Sequence, residues 1–262
     1  MRENKVAVVT GSSRGIGEAV CRQLKDKGYF VYGLSRSGVA PYGCTGLKCD
    51  VTDEASVRAV FADIAGREGR IDVLVNNAGF GIAGPVEYTE TDALEKQMNV
   101  NFMGQFLCAR EVLQYMRKRK AGTIVFVSSV AAQIAIPYQM AYSASKAAIN
   151  SMALALRNEV KDFGIRVCAV MPGDTRTSFT DLRETDHRGD EVYGRAVKSI
   201  ASMEKDERNG MTPDKTAGVI VKAATDPNPA PLYTAGFKYK VFMLLFRLLP
   251  ARLSYFIVSK MY

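Results

Sequence analysis

Lys5-Val6-Ala7-Val8-Val9-Thr10-Gly11-Ser12-Ser13-Arg14-Gly15-Ile16-Gly17-Glu18-Ala19-Val20 decides the fold. Lys5 to Val9 is a short run rich in β-branched residues and reads as a buried strand. Gly11 to Gly17 reads as a tight turn, and Glu18 to Lys27 has helical spacing. A strand, a glycine-rich turn and a helix, in that order, place backbone N–H groups and a helix N-terminus where a pyrophosphate can sit. Taken alone, the same stretch is also only a turn, so its meaning depends on the rest of the chain.

Strand-like runs recur at 5–10, 30–35, 46–49, 71–75, 123–128, 165–171 and 231–235, separated by helix-length amphipathic stretches. That alternation predicts an α/β fold, a parallel sheet with helices on both faces. With 262 residues, 47% of them hydrophobic, the chain can bury one such core undivided. No internal repeat or low-complexity segment interrupts it. Arg2 to Lys5 is charged and the first apolar run is only a strand, so no signal peptide is read there.

A second motif carries chemistry. Tyr142-Ser143-Ala144-Ser145-Lys146 lies in a predicted helix over 140–162, which puts Tyr142 and Lys146 four apart on one face. An ammonium beside a phenol favours the phenolate and draws its pKa down from about 10. Such a tyrosine gives or takes a proton at a hydroxyl or a ketone. By itself the pair also fits a surface helix with a snorkelling lysine.

Together the two motifs resemble the short-chain dehydrogenase/reductase family over residues 4 to 236. Asn76-Asn77-Ala78-Gly79 follows Ile71 to Val75, and Asn101 opens a later helix. Ser129 precedes Tyr142 by thirteen residues, and Pro172-Gly173-Asp174-Thr175-Arg176-Thr177 follows Ile165 to Met171. The resemblance implies a Rossmann-type doubly wound sheet in one domain, spanning 1–236, with a short helical extension at 237–262. It implies a catalytic set of Asn101, Ser129, Tyr142 and Lys146. In that set Tyr142 is the acid/base, Lys146 tunes it and holds the nicotinamide ribose, Ser129 orients the substrate oxygen, and Asn101 holds a water. Asn101 is also read as a helix cap.

The coenzyme is expected at Gly11, Ser12, Ser13, Arg14, Gly15, Ile16, Arg36, Asp50, Val51, Asn77, Tyr142, Lys146, Thr175 and Thr177. The second strand ends Gly33-Leu34-Ser35-Arg36-Ser37, with no carboxylate to bind a ribose diol. Arg14 and Arg36 instead suit a 2′-phosphate, so NADP(H) is expected rather than NAD(H). By resemblance, Asp50 and Val51 flank the adenine, Asn77 forms the back wall, and Thr175 and Thr177 reach the carboxamide.

Ser178 to Met211 is expected to form a lid that turns Phe179, Leu182, Tyr193, Val197, Ile200 and Met203 toward a lipophilic ligand or packs them within itself. Thr212-Pro213 reads as a helix start. The tail 237–262 contains Lys238, Lys240, Arg247, Arg252 and Lys260 without an acid, +5 of the formal +8. Basicity is thus local to the tail, and no nucleic-acid partner is expected. The tail is too short and too charged to span a membrane. Three readings of it are kept in order: two short helices closing the pocket, peripheral contact with an anionic membrane, and oligomer contact.

Cys21, Cys44, Cys49, Cys108 and Cys168 are odd in number and scattered, and His187 is the only histidine. No metal site is expected, a Ser-His-Asp hydrolase is disfavoured, and reduced cysteines suit the cytoplasm. The tail's similarity to the steroid and retinol dehydrogenase branch points to a bulky apolar alcohol or ketone, with a hydroxysteroid first. The alternatives are a 3-oxoacyl reductase acting on a carrier protein or coenzyme A, and a catalytically idle NADP(H) sensor or scaffold. The helices around Asn101 to Arg119 and Met140 to Lys161 resemble those the family uses to form homo-oligomers.

Overall fold

The computed structural model describes residues 4–261; residues 1–3, including Arg2 of the leader reading, and 262 lie outside the described residues. Seven strands form one parallel sheet: β1 (Val6–Thr10), β2 (Phe30–Ser35), β3 (Thr45–Lys48), β4 (Val73–Asn76), β5 (Gly122–Val127), β6 (Ile165–Pro172) and β7 (Leu232–Ala235). Their order across the sheet is β3-β2-β1-β4-β5-β6-β7. The chain winds outward from β1 to β3, returns to β4 and winds the other way. The order therefore reverses between β1 and β4, where open α/β sheets form their crevice.

The helices are α1 (Gly15–Asp26), α2 (Glu54–Glu68), α3 (Thr91–Met98), α4 (Gly104–Arg119), α5 (Met140–Glu159), α6 (Ala196–Arg208), α7 (Pro213–Thr225), α8 (Phe237–Leu248) and α9 (Ala251–Met261). Alternate strand residues serve opposite layers, as the period of two requires. Val6, Val8, Leu34, Ile124 and Phe126 pack with Phe61, Val112, Met116 and Ile149 of α2, α4 and α5. Ala7, Val9, Val31, Val75, Val125 and Val170 pack with Val20, Leu24, Ala217, Ile220 and Val221 of α1 and α7. Each fully buried Leu, Ile or Phe in these layers contributes about 1.5–3 kcal/mol.

Boundaries shift where side chains outvote pattern. β4 starts at Val73 because Asp72 turns aside: its Oδ2 accepts from the Val6 N–H at 2.8 Å and from Arg70 at 2.7 Å. α1 begins at Gly15, inside the glycine turn, where Gly15 at φ +58° supplies the left-handed step from the turn into the helix. Asp53 caps α2 by accepting from Ala55 N, and Thr212 caps α7, with Pro213 in its first turn. The lid region holds α6 and a two-residue strand, Glu184–Thr185, paired with Ile82–Ala83.

Candidate active site

The ends of β1, β2, β4, β5 and β6 open into one cleft of about 980 Å³. At its first end, Gly11 and Gly15 adopt φ of +67° and +58°, a region that costs glycine nothing. A Cβ on Gly17 would stand 2.1 Å from the Gly11 carbonyl oxygen, so the start of α1 reaches the turn only as glycine. Asn77 pins the same turn. Its Nδ2 donates to the Thr10 carbonyl at 3.0 Å, and its N–H donates to Thr10 Oγ1 at 2.9 Å.

Ser13, Arg14, Gly15, Ile16, Arg36, Asp50, Val51, Asn77, Thr175 and Thr177 line the cleft together with Gly11. Ser12 does not: it is buried, and its hydroxyl donates to the Val39 carbonyl at 3.2 Å. Arg14 and Arg36 are exposed and make no ion pair or side-chain hydrogen bond among the described residues. Both guanidinium forks are thus free for an anionic ligand. Asp50 makes a local turn, Oδ1 accepting from Thr52 N and Oγ1 at 2.9 and 2.8 Å, which holds its carboxyl below the usual range with Arg36 helping. Thr175 Oγ1 hydrogen-bonds to the Gly173 carbonyl at 3.0 Å and to Thr216 Oγ1 at 2.9 Å, while Thr177 faces Gly15. A glycine turn, two free arginines and a second strand ending without a carboxylate fit a dinucleotide bearing an extra phosphate.

At the second end, Ser129, Tyr142 and Lys146 share the cleft wall. α5 supplies the last two one turn apart, and Ser129 lies two residues beyond β5 and caps the following short turn by accepting from Ala131 N–H at 3.1 Å. Lys146 is buried, its Nζ donating to the Val127 carbonyl at 2.9 Å and standing 5.6 Å from the Tyr142 ring centre. Asn101 is buried in a π-helical turn, Asn99–Met103, spliced between α3 and α4. It is neither a helix start nor a cap. Its Oδ1 accepts from Phe80 N at 3.0 Å, and its Nδ2 donates to Phe80 O at 2.9 Å and to Ser145 Oγ at 3.1 Å. Ser145 in turn donates to the Tyr142 carbonyl at 2.7 Å.

The Tyr142 phenol stands above its ordinary value rather than below it. Burial pushes the phenol up to about 12, with Glu207 and Asp174 adding to the rise and hydrogen bonding to Ser129 and the Arg183 charge opposing it. Burial also lowers Lys146 to about 8, because the low-dielectric wall penalises its charge. An ordinary lysine titrates at 10.5, so between those values the unfolded chain binds a proton that the folded chain does not. Stability from this group therefore rises as pH climbs from about 8 to 10.5. Lys146→Met should remove that rise, seen as a flatter pH dependence of the urea midpoint than in wild type; an identical dependence would contradict it.

Four further residues, Asp174, Glu207, Arg183 and Tyr239, shape the cleft without having been expected. Asp174 and Glu207 line it, and burial raises both carboxyl pKa values. Arg183, its side chain fully buried, pairs with Glu207, which also accepts from Thr180 at 2.7 Å. Tyr239 donates to Asp174. Asp174 lies within the quoted Pro172 to Thr177 segment, but Glu207 sits in Glu204-Lys205-Asp206-Glu207-Arg208, where pattern cannot single out one buried acid.

Of the six apolar lid residues, Phe179 and Leu182 line the cleft, with Phe179 centred 5.6 Å from the Tyr142 ring. Ile200 and Met203 pack inward with Ala83, Val197 is exposed, and Tyr193 bonds Glu87. Among the described residues none from 237–261 lines the cleft; the two short helices expected in the tail are present and pack on the domain beside it. His187 is exposed and meets Asp190 at 3.1 Å, away from the cleft. The five cysteines are free, and no metal-binding cluster occurs among the described residues. No described helix is long and apolar enough to cross a membrane.

A crevice at the sheet's reversal point, with a glycine-rich turn at one end and a tyrosine, lysine and serine at the other, defines a dinucleotide-dependent oxidoreductase. The chain belongs to the short-chain dehydrogenase family, whose model matches residues 5–188. It is 40% identical over 229 residues to a Bacteroides thetaiotaomicron protein named 3-ketodihydrosphingosine reductase, covering 86% of this chain and 85% of that one. It is 32% identical over 223 residues to the Mycobacterium tuberculosis 3-oxoacyl-[acyl-carrier-protein] reductase MabA, covering 85% and 86%. Among solved structures, ElxO with NADP bound superposes with a TM-score of 0.75 at 26% identity, covering 91% of this chain and 99% of that one.

Proposed function

We propose that this chain reduces a ketone on a lipophilic substrate to a secondary alcohol with NADPH. The observation that carries the reading is that Ser129, Tyr142 and Lys146 face the same cleft as the free Arg14 and Arg36. Arg14 and Arg36 would hold the 2′-phosphate, the Gly11 to Gly17 turn the pyrophosphate, Asp50 and Val51 the adenine side, and Thr175 and Thr177 the carboxamide side. The coenzyme, when bound, supplies the hydride.

The protein's own part is the proton. A phenol held near pKa 12 is neutral across the working range, which is the form that donates to a developing alkoxide. Ser129 orients the substrate oxygen toward it. Lys146, its Nζ directed by the Val127 carbonyl, would hold the nicotinamide ribose. Asn101 is a positioning residue: through Ser145 it fixes the first turn of α5 and hence Tyr142. A complete set of this kind favours an enzyme over an idle sensor.

Substrate preference is supported from two directions. Phe179, Leu182 and Ile136 give the cleft an apolar wall beside Tyr142. Asp174 and Glu207 place two carboxyl groups on the cleft wall, which suits a ketone carrying a hydrogen-bond-donating ammonium group, as ketones of sphingoid bases do. The name of the 40% relative agrees with that choice, and the MabA relative supports a 3-oxoacyl thioester as the second reading. A hydroxysteroid, first by tail similarity alone, finds no support among those relatives' names and serves as the competitor. Exposed Phe106 and Leu154 on α4 and α5 are consistent with homo-oligomers formed across those helices.

The deciding experiment follows NADPH absorbance with purified protein against 3-ketodihydrosphingosine, a 3-oxoacyl thioester and a 3-ketosteroid. The expected result is a kcat/KM at least about tenfold higher for the first, the discrimination one buried charge contact supplies. Preference for the thioester would transfer the function to the second reading, and turnover of none would favour the sensor.

A further inference from the structure

α8 carries two apolar stripes. Phe242, Met243 and Phe246 turn inward and pack with Ile134, Met171 and Val258. On the opposite side, Phe237, Val241, Leu244, Leu245 and Leu248 recur at i, i+4, i+7, i+8 and i+11, and every one is exposed, Phe237 at 82% and Leu248 at 73%. One stripe closes a core; a second, facing water, marks an interaction surface. α9 adds exposed Leu253, Tyr255 and Phe256, with Tyr255 meeting the Phe246 ring at 5.7 Å.

Charge selects the occupant. Lys238 borders the outer stripe on one side, with Lys240 and Arg247 on the other, Arg252 and Lys260 lie on α9, and 237–262 contains no Asp or Glu. A nucleic acid would engage the cations and leave the Leu and Phe side chains in water. A second copy of the chain, meeting this patch through a two-fold axis, would set cations against cations. An anionic bilayer satisfies both halves, with apolar side chains at the acyl boundary and ammonium and guanidinium groups among the headgroups.

We propose that α8 and α9 dock this protein on an anionic lipid bilayer. The surface adjoins the cleft: α8 packs on Ile134 and Met171, and its Tyr239 bonds the cleft residue Asp174. A lipophilic ketone dissolved in the bilayer would then be met where it resides. That last step rests on the functional reading above, whereas the docking itself does not.

Co-sedimentation of the full chain with two kinds of vesicle tests it, phosphatidylcholine alone and phosphatidylcholine with phosphatidylglycerol. Wild type is expected to pellet with the anionic vesicles only and to be released by added salt. Leu244→Ser/Leu248→Ser/Phe256→Ser and Lys240→Gln/Arg247→Gln should each bind at least tenfold more weakly, while both turn over a short water-soluble ketone as wild type does. Equal binding to both vesicle types, or undiminished binding by both variants, would overturn the proposal. So would a wild-type assembly that binds no vesicle and falls to monomer in the triple variant, since the face would then join copies of the chain. Wild type that binds vesicles yet reduces no ketone would instead contradict the functional reading and leave the docking standing.

Discussion

Tyr142→Phe is expected to lower turnover by about two to four decades, the worth of a positioned acid, while NADPH still binds. The substitution removes one oxygen and leaves the ring against Phe179, 5.6 Å away, and within reach of Lys146. The coenzyme contacts proposed at Arg14, Arg36 and the glycine turn are untouched, so the effect should fall on kcat. Single-turnover absorbance with a titration of NADPH fluorescence separates the two quantities. An unchanged rate would remove Tyr142 from the mechanism, and a loss of coenzyme affinity equal to the loss of rate would make it a binding residue.

Arg36→Asp should weaken NADPH by about 1.5–3 kcal/mol, the scale of a charge-assisted hydrogen bond, and relatively favour NADH. Arg36 is exposed and unpaired, so its removal breaks no internal bridge. The new carboxylate would stand near Asp50, whose own ionisation Arg36 assists, and would repel a 2′-phosphate while offering an acceptor to a ribose diol. Calorimetric titration with both coenzymes reads the change directly. A wild-type preference for NADH at equal concentration would show that the end of β2 reads the other coenzyme.

Much of the sheet is legible in the sequence because its strands are buried on both faces and read as unbroken apolar runs. Phe30–Ser35 falls where pattern puts it, and the other strands move by one or two residues. The cleft assembles as the motifs suggest because Gly11, Asn77, Ser129 and Gly173 each lie just past a strand at the same edge of the sheet. What escapes pattern is what depends on tertiary neighbours. Ser12 belongs to a glycine motif, yet its hydroxyl is taken by Val39, a contact made only once β2 lies alongside. Glu207 is one charge in a run of five at the end of α6, and the arrival of Arg183 from the lid distinguishes it. The Tyr142 pKa follows from burial, which a helical i, i+4 spacing does not report. The tail shows the same limit: its apolar content is visible, but the division into an inward and an outward stripe needs the docking of Met243 on Met171.

The π-helical turn at Asn99–Met103 makes the length of one segment inviolable. A π turn is an α-helix holding one residue too many. Upstream, Gln97 anchors the helix to the Phe80 carbonyl at 3.0 Å, and within the turn Asn101 anchors it to both Phe80 backbone groups. Downstream, Leu107, Cys108, Val112 and Met116 are committed to the core. Excising a single residue from 99–103 would restore regular winding but rotate α4 by about 100° relative to α3, carrying that buried row off the sheet or tearing Asn101 from Phe80. Homologous chains sharing this site should therefore align through it without a gap, whereas insertions and deletions have room in the exposed stretch around His187.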